Sequence, residues 1–323
     1  MIANSGEYRK KNGQRGYVMM NNFIFENKTK VYFGKGGVKE YLGGLLANSG
    51  ETIMLAYGGG SIKCNGVYDE IMGILNAQGK CVVEFSGIMS NPTYAKVQDG
   101  AKLARENHVD LILTAGGGSV SDCCKVISGA FDTLSHAMET YFGKPDENNL
   151  SDDINEAVMR SVIRNIRILL TDPENYDARS ELAQASAMAE NGVLKIGKVT
   201  DFQAHQIHHQ LGAYTDCNHG AGLAVIHPVL YRHIYKSGAA RFARFAQNVW
   251  GIAPRDSDEE TAAAGIDALA AFIKEIGLPT TFTELGIPAD TDFRAVADST
   301  NVTAGCCKKL THDEIYEILQ ECL

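Results

Sequence analysis

No apolar run in the sequence approaches the about 18 residues that a membrane-crossing helix needs. The first twenty residues, MIANSGEYRKKNGQRGYVMM, lack the apolar stretch of a secretory signal peptide. They read as a floppy leader, or as codons upstream of a start at Met19 or Met20. An excess of basic charge is missing too. Thirty Lys plus Arg face 39 Asp plus Glu, a net charge of −9, which gives no footprint for nucleic acid or an anionic membrane. There is no CxxC motif among the 8 cysteines, and two adjacent pairs (Cys123-Cys124, Cys306-Cys307) point to reduced thiols and a cytoplasmic setting. Internal repeats and low-complexity linkers are absent. What remains is a 323-residue chain, 45% hydrophobic and 21% charged, which excludes global disorder and fits two domains.

Two hydrophobic periods divide the chain. Up to about residue 128, short apolar runs alternate with amphipathic stretches. Runs at 31–34, 52–57, 81–85 and 111–115 read as four strands, with helical patterns at about 35–47, 62–78 and 93–107 between them. Such alternation predicts βαβ units and a parallel sheet. Beyond Gly129 the period is helical almost throughout. Helices are expected at about 151–171, 176–191, 201–213, 220–231, 239–250, 258–276 and 312–322, the first capped by Ser151. The predicted organisation is a leader over 1–20, an α/β dinucleotide-binding domain over 21–128, and an all-α domain over 129–323.

A strand ending in Gly-Gly-Gly-Ser and opening a helix occurs twice, at 58–61 and 116–119. Glycine lets backbone N–H groups approach an anion, and a helix N-terminus adds partial positive charge. One such cluster serves equally well as a tight turn. Two, at the carboxyl ends of successive sheet strands, point to a phosphate-bearing ligand. The first offers Ser61 and Lys63 and no acidic residue of its own, which favours a 2′-phosphate and hence NADP over NAD.

Four of the 9 histidines fall in HQIHHQLGAYTDCNHG at 205–220. His205 and His209 are four apart, on one helical face, and His219 precedes Gly220. Upstream, Asp132 and His136 are also four apart in FDTLSHAMETY. A carboxylate and several imidazoles presented from helix faces suit a divalent cation, whereas a lone histidine would more simply be a hydrogen-bonded core residue. His108, His208, His227, His233 and His312 are assigned that structural role, His208 least firmly.

The segments NNFIFENKTKVYFGKG (21–36), LAYGGGSIK (55–63), FSGIMSNPT (85–93), TAGGGSVSD (114–122), GAFDTLSHAMETY (129–141) and the histidine-rich stretch together resemble the iron-containing alcohol dehydrogenase family. Within it they resemble the branch of butanol dehydrogenases and NADPH-dependent aldehyde reductases. The resemblance implies that Asp132, His136, His205 and His219 coordinate Fe2+ or Zn2+, and that His209 lies near the nicotinamide and takes part in proton relay. It also implies that Gly59, Gly60 and Ser61, with Lys63 adjacent, sit around the adenosine phosphate, and that Gly117, Gly118 and Ser119, with Asp122 beside them, cradle the pyrophosphate. The implied activity is hydride transfer between primary alcohols or aldehydes and NADP(H) or NAD(H), with the cation polarising the substrate oxygen. The implied assembly is a homodimer.

One departure from the family is large. Family members carry a long stretch between the second glycine cluster and the Asp-x-x-x-His helix, including a Thr/Ser-Gly-Ser-Glu segment against the cofactor. Here Val126-Ile127-Ser128 runs straight into Gly129, and no TGSE-like segment occurs. About two to three βαβ units are absent, at about thirty residues each. The α/β domain is therefore expected to be a truncated Rossmann-like sheet with an unpaired apolar edge. The competing expectation is a relative that retains metal binding with weak or lost catalysis. A polyol dehydrogenase or dehydroquinate synthase-like lyase on a similar scaffold is disfavoured by the wording of the motifs.

Overall fold

The computed structural model describes residues 24–27, 30–32, 34–88, 94–116, 123–145, 148–303 and 307–323. The expected leader lies outside them. The chain divides into two compact units, one of Lys28–Val126 and the other of Ile127–Leu323 together with Met1–Asn27.

The smaller unit runs α1 (Gly37–Leu46), β1 (Thr52–Tyr57), α2 (Ser61–Cys64), α3 (Val67–Ala77), β2 (Cys81–Phe85), α4 (Tyr94–Glu106) and β3 (Leu111–Ala115). Its three strands form a parallel sheet in the order β2-β1-β3, with Leu55 of β1 opposite Glu84 on one side and Leu113 on the other. The apolar run of β1 is buried almost end to end, as expected for the central strand of a parallel sheet. Ile53, Leu55 and Tyr57 pack with Leu46 of α1, Ile62 of α2, and Ile71 and Leu75 of α3 in one core. At the edge, Ile112 of β3 is 56% exposed, consistent with a sheet that ends where its sequence still reads as interior.

Two expectations for this unit need correction. No strand forms at 30–32, where Val31 and Tyr32 are exposed and so gain nothing from an extended, buried conformation, and Phe33 falls outside the described residues. Among the described residues the sheet has three strands, not four. The helix expected over 62–78 is also broken. Gly66 adopts φ +81°, a left-handed conformation open to glycine, which ends α2 and lets the chain restart as α3.

Apart from one isolated antiparallel bridge between Lys144 and Val199, the regular elements of the larger unit's described residues are helices: α5 (Cys123–Tyr141, which begins in the smaller unit), α6 (Leu150–Thr171), α7 (Tyr176–Glu190), α8 (Gln203–Thr215), α9 (His219–Ile234), α10 (Ala239–Trp250), α11 (Asp258–Glu275), α12 (Phe293–Ser299) and α13 (His312–Glu321). The fold class is thus a parallel α/β unit followed by an all-α unit. The cap of α6 is Asn149, whose side chain accepts from the Asp152 N–H. Ser151, expected to be the cap, lies inside the first turn and donates instead to the Ile196 carbonyl at 2.8 Å. Helix α12 had no clear sequence signal, since seven residues are too few to establish a 3.6-residue period.

Aromatic packing holds this unit together. Phe142, just past α5, stacks on Phe242 of α10 at 4.1 Å and meets Tyr231 of α9 edge-on at 5.0 Å. A buried ionic knot lies at the end of α5. Asp152, fully buried, pairs with Lys198 and, at 2.7 Å, with Arg241. Both cations also donate to the Tyr141 carbonyl, at 3.0 and 3.1 Å, at the end of α5. The helix that carries Asp132 and His136 is thereby anchored at its C-terminal end.

Candidate metal centre

Helix α5 presents Asp132, His136 and Glu139 at i, i+4 and i+7, hence on one face. Helix α8 presents His205, His208 and His209, and it ends at Asp216, whose φ of +52° turns the chain back. Helix α9 then starts at His219, with the Asn218 side chain accepting from the Ala221 N–H as its cap. This reversal places the His205 and His219 rings 5.2 Å apart.

Four donor atoms converge. Asp132 Oδ1 lies 3.4 Å from His205 Nε2, 3.4 Å from His219 Nε2 and 3.7 Å from His136 Nε2. The Nε2 atoms of His136 and His205 are 3.1 Å apart. Asp132, His205 and His219 form the tightest set, with one ligand atom from each lying within 4.8 Å of the others. Around a cation with bonds of about 2.1 Å, tetrahedral ligand atoms stand about 3.4 Å apart, which is the scale of these separations. Asp132 Oδ1 is buried and makes no hydrogen bond of its own, as a group reserved for a cation would. The donor set therefore fits a divalent transition metal.

The electrostatics agree. Burial works to raise the Asp132 pKa, but its contacts with His205 and His219 prevail and hold the carboxylate well below its ordinary value. For His205 burial favours the neutral ring, and Asp132 and Glu139 together overcome it, pushing the pKa up to about 9. His136 is depressed to about 4, chiefly by burial and then by charged His205.

Several residues near the site were not singled out by sequence. Glu139, 1% exposed, accepts from the Ala204 N–H at 2.6 Å and pairs with His205 Nδ1, leaving Nε2 to face Asp132. Its place one turn beyond His136 was the available signal. Glu190, at the end of α7, approaches His136 Nε2 at 2.9 Å. His208, read from sequence as structural, is buried with its Nδ1 2.9 Å from His219 Nδ1 and its Nε2 3.5 Å from Cys217 Sγ.

Of the other histidines, only His209 borders the site. His209 is exposed, its ring parallel to that of His219 at 5.8 Å, and partial loss of water around it, with charged His205, lowers its pKa. His227 is fully buried against Ser135 Oγ at 2.6 Å. His233 pairs with Glu321 and His312 contacts the Thr300 carbonyl.

In the smaller unit, Gly60 has φ +109° and Ser61 opens α2 immediately after β1 and Gly59. Lys63 lies over the rings of Tyr57 and Tyr68, at 5.2 and 4.5 Å, and 3.5 Å from Glu84. Glu84 also accepts from the Tyr68 hydroxyl at 2.7 Å. The first glycine cluster thus has an acidic neighbour, supplied by β2, too distant in sequence to be recognised beforehand. Gly117, Gly118, Ser119 and Asp122 lie outside the described residues.

The description "Fe-containing alcohol dehydrogenase family, C-terminal" matches residues 126–323, and "Iron-containing alcohol dehydrogenase" matches residues 28–157. The chain belongs to the iron-containing alcohol dehydrogenase family. Among its relatives, the NADH-dependent butanol dehydrogenase A of Clostridium acetobutylicum is 28% identical, with 94% of this chain and 100% of that protein covered. The NADPH-dependent aldehyde reductase YqhD of Escherichia coli is 26% identical, covering 83% and 90%. The crystal structure of a Thermotoga maritima NADH-dependent butanol dehydrogenase A superposes with a TM-score of 0.86 at 24% identity, covering 94% and 99%. As an iron-containing alcohol dehydrogenase, however, the chain is short. Its alignment with the Clostridium protein runs over 389 positions, more than its own 323 residues, so this family member has no counterpart for part of that relative.

Proposed function

We propose that this protein is a metal-dependent oxidoreductase that interconverts primary alcohols, butanol-like in size, and aldehydes by hydride transfer with a nicotinamide dinucleotide. The observation that carries this reading is the convergence of Asp132 Oδ1 with the Nε2 atoms of His136, His205 and His219. These four residues would hold Fe2+ or Zn2+, and the bound cation supplies Lewis-acid polarisation of the substrate oxygen. Three imidazoles and one carboxylate suit either ion and disfavour calcium, which takes all-oxygen sets.

The chain's own groups divide the remaining tasks. Glu139 and its hydrogen bonds hold His205 in the orientation that turns Nε2 toward Asp132. His209, exposed beside His219 with its pKa lowered, would accept the alcohol proton and pass it to solvent. Gly59, Gly60, Ser61 and Lys63 would bind the adenosine phosphate end of the cofactor, and Gly117, Gly118, Ser119 and Asp122 the pyrophosphate. Ser61 and Lys63 support NADP(H) over NAD(H), and Glu84, 3.5 Å from Lys63, weighs against that preference. Named relatives of both cofactor types match the chain. The working assembly we propose is a cytoplasmic homodimer.

A second reading has its own support. The sheet has three strands among the described residues, and the Clostridium relative carries segments this chain lacks. On that reading the protein binds metal and works weakly or not at all as a dehydrogenase. Butanal reduction with NADPH and with NADH, after loading with Fe2+ or Zn2+, decides between them. Metal-dependent turnover supports the first; metal uptake without nucleotide binding or turnover supports the second.

A further inference from the structure

We propose that His208 is a positioning residue that fixes the tautomer of His219, and that Cys217 fixes His208 in turn, forming a buried Cys217–His208–His219 chain behind the metal centre. The inference rests on the metal reading above. His219 faces two ways, with Nε2 3.4 Å from Asp132 Oδ1 and Nδ1 2.9 Å from His208 Nδ1. Two imidazole nitrogens 2.9 Å apart share one proton. If His219 gives its Nε2 lone pair to a cation, its own proton must sit on Nδ1 and be donated to His208. His208 Nδ1 must then be bare, its proton resides on Nε2, and that atom faces Cys217 Sγ at 3.5 Å. Each ring thereby dictates the state of the next.

The fold makes room for this arrangement. His208 is 2% exposed, between α8 and α9. A Cβ at Gly222 would come within 2.4 Å of His208 Cδ2 and Nε2, so α9 can pass this ring only with glycine there. An ordinary core histidine would not have its Nδ1 directed at a metal-facing imidazole.

The test uses the full chain loaded with Zn2+. Long-range 1H–15N correlation on histidine-labelled protein should show His219 with its proton on Nδ1 and His208 with its proton on Nε2. His208→Leu, which removes the acceptor, should weaken Zn2+ affinity about 10- to 100-fold in competition with a chelator. His208→Gln restores an acceptor oxygen and should recover most of that loss, which a purely space-filling role would not produce. A His208 proton on Nδ1 in the loaded wild type overturns the proposal, and this readout needs no variant to fold. Equal affinities for wild type and His208→Leu, or no recovery in His208→Gln, overturn it as well. Failure of the wild type itself to bind Zn2+ would instead refute the metal reading beneath it.

Discussion

Asp132 Oδ1 and His205 Nε2 face each other across two helices at 3.4 Å, and the oxygen makes no hydrogen bond although it is buried. Asp132→Asn should strip most of the metal and also destabilise the metal-free fold near neutral pH, because it removes the carboxylate charge that His205 and His219 hold ionised. Elemental mass spectrometry together with a thermal unfolding curve measures both.

Glu139 acts one step further out. Replacing it with Gln keeps the volume but removes the charge that holds a proton on His205 Nδ1. Metal affinity should fall about 10- to 100-fold. Chelator competition on wild type and Glu139→Gln would show this, and an unchanged affinity would remove Glu139 from the site.

The metal-free protein should be acid-labile in a defined window. His136 (about 4), His208 (about 3) and fully buried His227 all have folded-state values below the usual 6.5. A depressed histidine contributes stability above 6.5 that is lost as pH falls, because the unfolded chain then binds protons the folded chain does not. Three such groups give a slope of at most about 4 kcal/mol per pH unit between roughly pH 6 and 4. His205 opposes them. Its value, raised to about 9, gives stability that is complete below 6.5 and fades as pH rises through 9. Urea titrations of chelator-treated protein from pH 4 to 9.5 should show a maximum between these limits, falling steeply on the acid side.

The same raised value predicts how metal binding depends on pH. Below about pH 9 a cation must displace a proton from His205, so apparent affinity should rise with pH up to that point. Calorimetry in buffers of different ionisation enthalpy would count the proton released.

Asp152→Ala would leave Lys198 and Arg241 buried without their carboxylate. The expected loss is about 3–5 kcal/mol, because an unpaired buried charge costs more than a broken surface pair. A chemical denaturation curve checks it.

Much of this was legible in the sequence, for local reasons. Asp132 and His136 share a helix face by spacing, as do His205 and His209, and the apolar run at 52–57 read as a strand of a parallel sheet. Contacts between distant elements were not legible. Glu139 reaches His205 over 66 positions, and Glu84 meets Lys63 only because β2 lies beside β1. His208 looked like core because a buried histidine carries no sequence mark of which way each ring nitrogen points. The strand expected at 31–34 shows the converse failure, since β-prone residues form no strand without burial to favour it.

The most direct test of the account is the metal content of the wild type and Asp132→Ala after chelation, reloading with Zn2+ or Fe2+ and desalting. The account predicts about one ion per wild-type chain and almost none in the variant. Equal loading of the two proteins, or a wild type that retains no ion, would contradict it.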